Sequence, residues 1–170
     1  MASAITPEVV PLEEYLRGSY KPDRDFVKGE LQERNLGEIE HSEMQLAILL
    51  WFVRHAEQWR IAPLPEMRVQ ISDDHYRVAD VAVISADAPR EKALVTPPLI
   101  VVEILSAEDR VQRYRERLDD YLAMGIPHIW VVDPIEKIGF DCSHGDWVRR
   151  NRLEAGSGIY LSIPELGVTR

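Results

Sequence analysis

The sequence predicts an α/β domain with an additional C-terminal hairpin, and three observations carry that expectation. Two successive apolar, β-branched runs, RVADVAVI at residues 77–84 and LIVVEIL at residues 99–105, read as buried strands. The second run is followed by a helical pattern and then by HIWVVD at residues 128–133. That strand, helix, strand order calls for a right-handed crossover between parallel strands. Near the C-terminus, KIGFDCS and DWVRRNRLEA are two amphipathic stretches that read as a hairpin turning at His144–Gly145, and GIYLSI reads as a last strand. At 170 residues and 45% hydrophobic content, with no repeat or linker, the chain is expected to form one domain over residues 1–170.

The remaining elements follow in order. PLEEYLRG is a short helix, with Pro11 in its first turn and Gly18 past its end. DFVKGELQER is a strand pair turning at Lys28–Gly29, or an extended arm. A longer helix is expected over residues 42–59, capped by Ser42 with Gln45 closing a Ser-x-x-Gln box. Met44, Ala47, Ile48, Trp51, His55 and Trp59 recur along it at helical spacing. Leu49, Leu50 and Phe52 widen that apolar stripe, so a homodimer through this helix and the edge offered by the C-terminal hairpin is expected. EMRVQI is a strand, SDDH a turn, and the long loop SADAPREKALVTPP is of the kind that borders a site. Ser106 is placed to cap the helix after residue 105, and Gly125 and Pro127 close it.

Composition narrows the function classes. The only cysteine is Cys142, so neither an intramolecular disulfide nor a cysteine zinc site is possible, and a cytoplasmic setting is expected. No apolar run approaches the roughly 20 residues of a membrane span. A net charge of −9 argues against passive adhesion to nucleic acid or anionic membranes. Of 20 basic residues only Lys21, Lys28, Lys92 and Lys137 are lysines, an arginine bias suited to bidentate contacts with phosphate or carboxylate.

Asp80 and Glu103 are the residues that ask for chemistry. Each is a carboxylate inside an apolar strand, which is costly unless it is paired, hydrogen-bonded or bound to metal. One account is structural: Asp80 pairs with Arg68 or Arg77, and Glu103 caps a loop or reaches solvent. The other is a site: two acids on consecutive strands converge, repel without a cation, and offer hard oxygen ligands to Mg²⁺ or Mn²⁺. Such an ion can activate water and polarise a phosphodiester. On the following helix Arg110, Arg113 and Arg117 recur at i, i+3 and i+7, a face suited either to solvent or to a nucleic-acid backbone.

RVADVAVI, PPLIVVEILS and RERLDDYLAMGIPHIWVVDP together resemble the bacterial restriction endonuclease family with a PD-(D/E)XK nuclease fold. The similarity extends to FVKGELQER and to the helix beginning near His41. It implies a restriction-endonuclease-like mixed β-sheet flanked by helices, and a Mg²⁺- or Mn²⁺-dependent endonuclease acting on DNA. Asp80 and Glu103 would be the paired metal ligands, with the Leu105 backbone carbonyl as a further ligand and Glu30 and His41 as secondary site residues. Beside such a metal site, the helix face read above would place Arg110 and Arg113 to contact nucleic acid. Two positions depart from the family pattern. Ala79 stands where a proline usually precedes the aspartate. Arg117, four residues before Tyr121, stands where the motif lysine is commonly found. A guanidinium keeps its charge at any working pH and can clamp phosphate, but it cannot exchange a proton. The alternative is therefore a catalytically inactive domain of the same fold, serving as a nucleic-acid-binding or protein-interaction module.

Overall fold

The structure, a computed structural model, describes residues 7–34, 38–106 and 111–167. Its centre is β5 (His75–Ser85), whose residues 76–84 are all buried. β4 (Ile61–Ser72) pairs antiparallel along the full length of one edge of β5. The other edge is shared. β2 (Asp25–Val27) takes Tyr76 and His75, and β6 (Ile100–Ile104) takes Val81, Ala82 and Val83, both antiparallel. Residues 77–80 lie between these two partners, and their edge is where the polar groups described below gather.

Beyond β6 the expected crossover is present. α3 (Val111–Met124) leads to β7 (His128–Asp133), which pairs parallel to β6. Gly125, at φ 85°, supplies the left-handed residue that ends α3. β8 (Ile138–Asp141) and β9 (Val148–Arg150) complete the sheet as an antiparallel hairpin through the His144–Gly145 turn. At the other side β3 (Glu30–Gln32) pairs with β2 and with the short β1 (Glu8–Val9). Lys28 and Gly29 both have positive φ, 50° and 93°, which matches the right-handed twist a tight hairpin needs.

Helices cover both faces of this nine-stranded mixed sheet. α2 (Ile39–Trp59) sets Met44, Ile48, Trp51 and Phe52 against Val81, Val83, Val102 and Trp130. On the opposite face Leu118 and Tyr121 of α3 pack with Ala82, Val101, Ile129 and Val131. A second C-terminal hairpin, β10 (Arg152–Ala155) with β11 (Ile159–Ser162), adds Leu153 and Leu161 to the α2 side. A third small core joins Tyr15 of α1 (Leu12–Arg17) to Phe26, Leu31 and Tyr76. Among the described residues no helix is long and apolar enough to cross a membrane.

Three local expectations shift. α2 begins at Ile39 with Glu38 as its N-cap and Ser42 already inside the first turn, donating its N–H to the Glu38 carbonyl. Gln45 is consequently released from the capping box. β4 begins at Ile61 and runs through Pro63 and Pro65, because it pairs with β5 alone among the strands and a missing N–H on the outer edge breaks no ladder bond. The loop after β5 covers that outer edge through Val69 and Leu94, rather than bordering the acidic strands.

Candidate active site

The β5·β6 register ends at Val81 opposite Val102, and continuing it by one position sets Asp80 against Glu103. In an antiparallel pair such residues point to the same face, with Cβ atoms roughly 5 Å apart. Here Glu103 meets Arg117 and Tyr121 of α3, whereas the Asp80 carboxylate meets His41 of α2 and Arg34. The ladder stops because the Asp80 carboxylate takes its place: Oδ2 accepts the Ile104 backbone N–H at 2.8 Å. The open stretch of β5 is satisfied by side chains. The Val78 N–H donates to Asp25 Oδ1 at 2.7 Å, the Val78 carbonyl accepts from Arg117 at 2.6 Å, and the Asp80 carbonyl accepts from Gln45 at 2.9 Å. A gap between two strands thus becomes a cavity of about 190 Å³, whose charged walls include Asp25, Arg34, His41, Asp80, Glu103 and Arg117.

Opposite charges alternate through the cluster. Asp80 Oδ1 accepts from Arg34, and Oδ2 lies 3.2 Å from His41 Nε2. Glu103 Oε1 accepts from Arg117 at 3.1 Å and from the Tyr121 hydroxyl. Arg117 also donates to Asp25, which accepts from Arg77 at 3.1 Å, and Arg77 continues to Asp120 at 2.7 Å. Asp80 and Glu103 are 3% and 2% exposed, so each charge is felt strongly by its neighbours.

The environments push the two carboxyls apart. Burial raises both, but at Asp80 the His41 hydrogen bond, the Arg34 charge and the Ile104 amide outweigh it and hold the group below its ordinary value. At Glu103 burial dominates, the nearby Asp80 charge adds to it, and the group is pushed up despite Arg117. The Tyr121 hydroxyl is raised by burial and by Glu103, so it remains a proton donor. Arg117 is desolvated, yet Asp25 and Glu103 hold it firmly charged.

The structure brings together Asp80, Glu103, Arg117 and His41. It does not bring Glu30 into the cluster. Glu30 sits beside the tight turn, opposite Val27, and the far end of that hairpin supplies Asp25 instead. Leu105 lines a neighbouring groove of about 800 Å³, and Ile104 is the residue of that strand end that lines the site cavity. Arg113 is exposed at the cavity rim and donates to the Glu33 carbonyl at 2.6 Å. Arg110 lies outside the described residues. The arginine face is not uniform, because Arg117 turns inward and is 8% exposed.

Sequence reasoning missed Asp25, Arg34 and Gln45, and it assigned the Asp80 partner to the wrong arginines. Arg68 is held by Asp23, at 2.7 Å, and Arg77 by Asp25 and Asp120. The signal for Asp25 was its position in DFV beside a strand carrying Arg77, but only the β2·β5 pairing brings the two together.

Comparison with known proteins places the fold and the family. No curated protein matches. Among solved structures, "Crystal structure of a putative nuclease belonging to DUF820 from Anabaena variabilis" superposes with a TM-score of 0.78 at 21% identity, covering 92% of this chain and 97% of that one. The agreement is one of fold. The model of the Uma2 family, described as "Putative restriction endonuclease", matches residues 12–162, and the chain belongs to that family.

Proposed function

We propose that the protein is a metal-dependent endonuclease that hydrolyses phosphodiester bonds of DNA. Family membership supports a nuclease in general, and one observation supports the finer reading: Asp80 and Glu103 are the residues next past the Val81–Val102 pair, where the β5·β6 ladder ends, and both line the cavity. The donor set fits a small hard cation. Mg²⁺ is commonly held by one or two carboxylates and keeps several waters, and about 190 Å³ leaves room for a few waters of roughly 30 Å³ each. Asp80 and Glu103 would hold the ion; when bound, it supplies activation of water and polarisation of a phosphoryl oxygen.

The chain's own residues do the rest. Arg117 and Tyr121 both donate to Oε1 of Glu103, which orients that carboxylate and leaves Oε2 for a ligand. Arg117 stays protonated and brings a fixed positive charge to the cavity wall, where charge develops on a phosphate. His41 and the Ile104 amide fix Oδ2 of Asp80. With a net charge of −9, DNA affinity has to come from local groups, and Arg113 at the rim is placed to contact a backbone phosphate.

The test is cleavage of supercoiled plasmid with Mg²⁺ or Mn²⁺. Wild type is expected to cut, and Asp80→Asn and Arg117→Ala to lose roughly a hundredfold or more. Arg117→Lys keeps the charge and is expected to retain cleavage. The arginine at the motif lysine position favours the second reading, a non-catalytic binding module. Absence of cutting by both wild type and Arg117→Lys, with Arg113→Ala still weakening DNA binding and its salt dependence, would decide for that module.

Assembly as a homodimer is part of the proposal. Leu46, Leu50 and Val53 on the outer face of α2 are 58%, 43% and 56% exposed and form one stripe at helical spacing. A second copy covering this stripe would present two sites to one duplex. Light scattering at micromolar concentration is expected to give twice the monomer mass, and a monomeric mass would remove the dimer from the account.

A further inference from the structure

We infer that Arg34 is a displaceable counter-cation: it neutralises Asp80 when no ion is bound, and it must leave that carboxylate for a divalent ion to enter, so it sets the metal affinity of the site. The inference rests on the reading of Asp80 and Glu103 as ion ligands. Three features of the contact carry it.

The first is how the two site arginines are mounted. Arg117 belongs to α3 and is tied to Asp25, Glu103 and the Val78 carbonyl. Arg34 follows β3 in a stretch that is neither helix nor strand, so its guanidinium can move without breaking a ladder or a helical turn. The second is incomplete satisfaction. One guanidinium nitrogen of Arg34 reaches Asp80 Oδ1, while the other, Nη1, is buried and has no hydrogen-bond partner among the described residues. A buried donor left unmatched makes the present arrangement less favourable than its charge pairing alone would make it.

The third is an alternative host. Glu66 Oε2 lies 3.9 Å from that same Nη1, and the Glu66 side chain is 42% exposed against 12% for Arg34. A guanidinium leaving Asp80 therefore has a second carboxylate within a short movement, nearer to solvent. A divalent ion on Oδ1 and the guanidinium beside it repel one another, and both draw on the small set of lone pairs of one carboxylate oxygen. The two cations consequently compete, and Glu66 shifts the competition toward the metal.

The experiment measures Mn²⁺ binding to the full chain by calorimetry, with the thermal midpoint recorded with and without Mn²⁺. Arg34→Gln is expected to bind Mn²⁺ about tenfold more tightly than wild type, with a larger Mn²⁺-dependent rise in midpoint. Glu66→Gln removes the alternative host at a partly exposed position and is expected to weaken binding severalfold. Asp80→Asn is expected to bind no Mn²⁺ at this site. Wild-type affinity in both Arg34→Gln and Glu66→Gln, with binding lost in Asp80→Asn, would overturn the competition and leave the ion site standing. Failure of both wild type and Arg34→Gln to bind would overturn the inference together with the ion site. Should Arg34→Gln not fold, Glu66→Gln decides, because wild-type affinity there contradicts the hand-over.

Discussion

Two arginine–aspartate clusters in this protein use the same chemistry and are built in opposite ways. Arg68 is saturated. It donates from Nε and Nη2 to the two oxygens of Asp23, both at 2.7 Å, reaches the Tyr15 and Gly18 carbonyls at 3.0 and 3.1 Å, and lies 4.2 Å from the centre of the Tyr15 ring. That cluster closes the N-terminal layer onto β4. Around Asp80 the same residue types surround a cavity, one guanidinium nitrogen goes unmatched, and two neighbouring carboxyls are driven in opposite directions. The contrast separates a structural ion pair from a candidate site more clearly than burial does. Of these two clusters, the structural one gives each guanidinium nitrogen a partner, whereas the candidate site keeps an unmatched nitrogen beside a space that a ligand can enter.

The largest effect that can break this comparison is on stability. Arg68→Ala removes the charge partner of Asp23 and the donors to the Tyr15 and Gly18 carbonyls. Because Arg68 keeps some solvent contact, the cost is expected at the lower end for a buried pair, about 3 kcal/mol. For a chain of this size that lowers Tm by roughly 6–12 °C. Mn²⁺ binding by the folded protein should be unchanged. An unaltered Tm would mean that saturation is not what holds this cluster's structural role.

A smaller effect sharpens the comparison at the junction of the two regions. Asp120 lies on α3, 2.9 Å from His75 and 2.7 Å from Arg77, whose other contacts are the site residue Asp25 and Gln32. Burial raises its carboxyl, but the hydrogen bonds and charges of His75 and Arg77 outweigh this and hold it below the unfolded value of 3.8. A depressed carboxyl contributes stability that is present above the unfolded value and lost as pH falls through the folded one. Asp120→Asn should therefore make the acid side of the Tm-against-pH curve shallower and leave the neutral region nearly level. An unchanged acid side would show that the junction carries no linked proton.

Local signals made much of the fold legible. The Lys28–Gly29 turn, the Met44–Ile48–Trp51 face and the apolar runs around Asp80 and Glu103 are each set by neighbours a few residues apart. The same reasoning drew attention to Asp80 and Glu103, because a charge inside an apolar strand is visible without knowing its partner. What was not legible depends on distant pairing. Asp25 enters the cavity only because β2 docks on β5 through Phe26 and Tyr76, and Arg34 reaches Asp80 across 46 residues of chain. The cap of α2 was misplaced because Ser42 carries a capping side chain, whereas Glu38 caps through its backbone alone. β4 was read short because Pro63 and Pro65 look like breakers until their strand is known to be an edge.

The proposed ion site lies between Asp80 and Glu103. Crystals of the full chain soaked in Mn²⁺ test it most directly, through anomalous scattering that locates the ion without any assumption about activity. A peak is expected between the two carboxylates, with Asp80 Oδ1 contacting the ion and Arg34 no longer bonded to that carboxylate. A fully soaked crystal with no peak there, and with Arg34 still on Asp80, would contradict the account and return both carboxylates to a structural role.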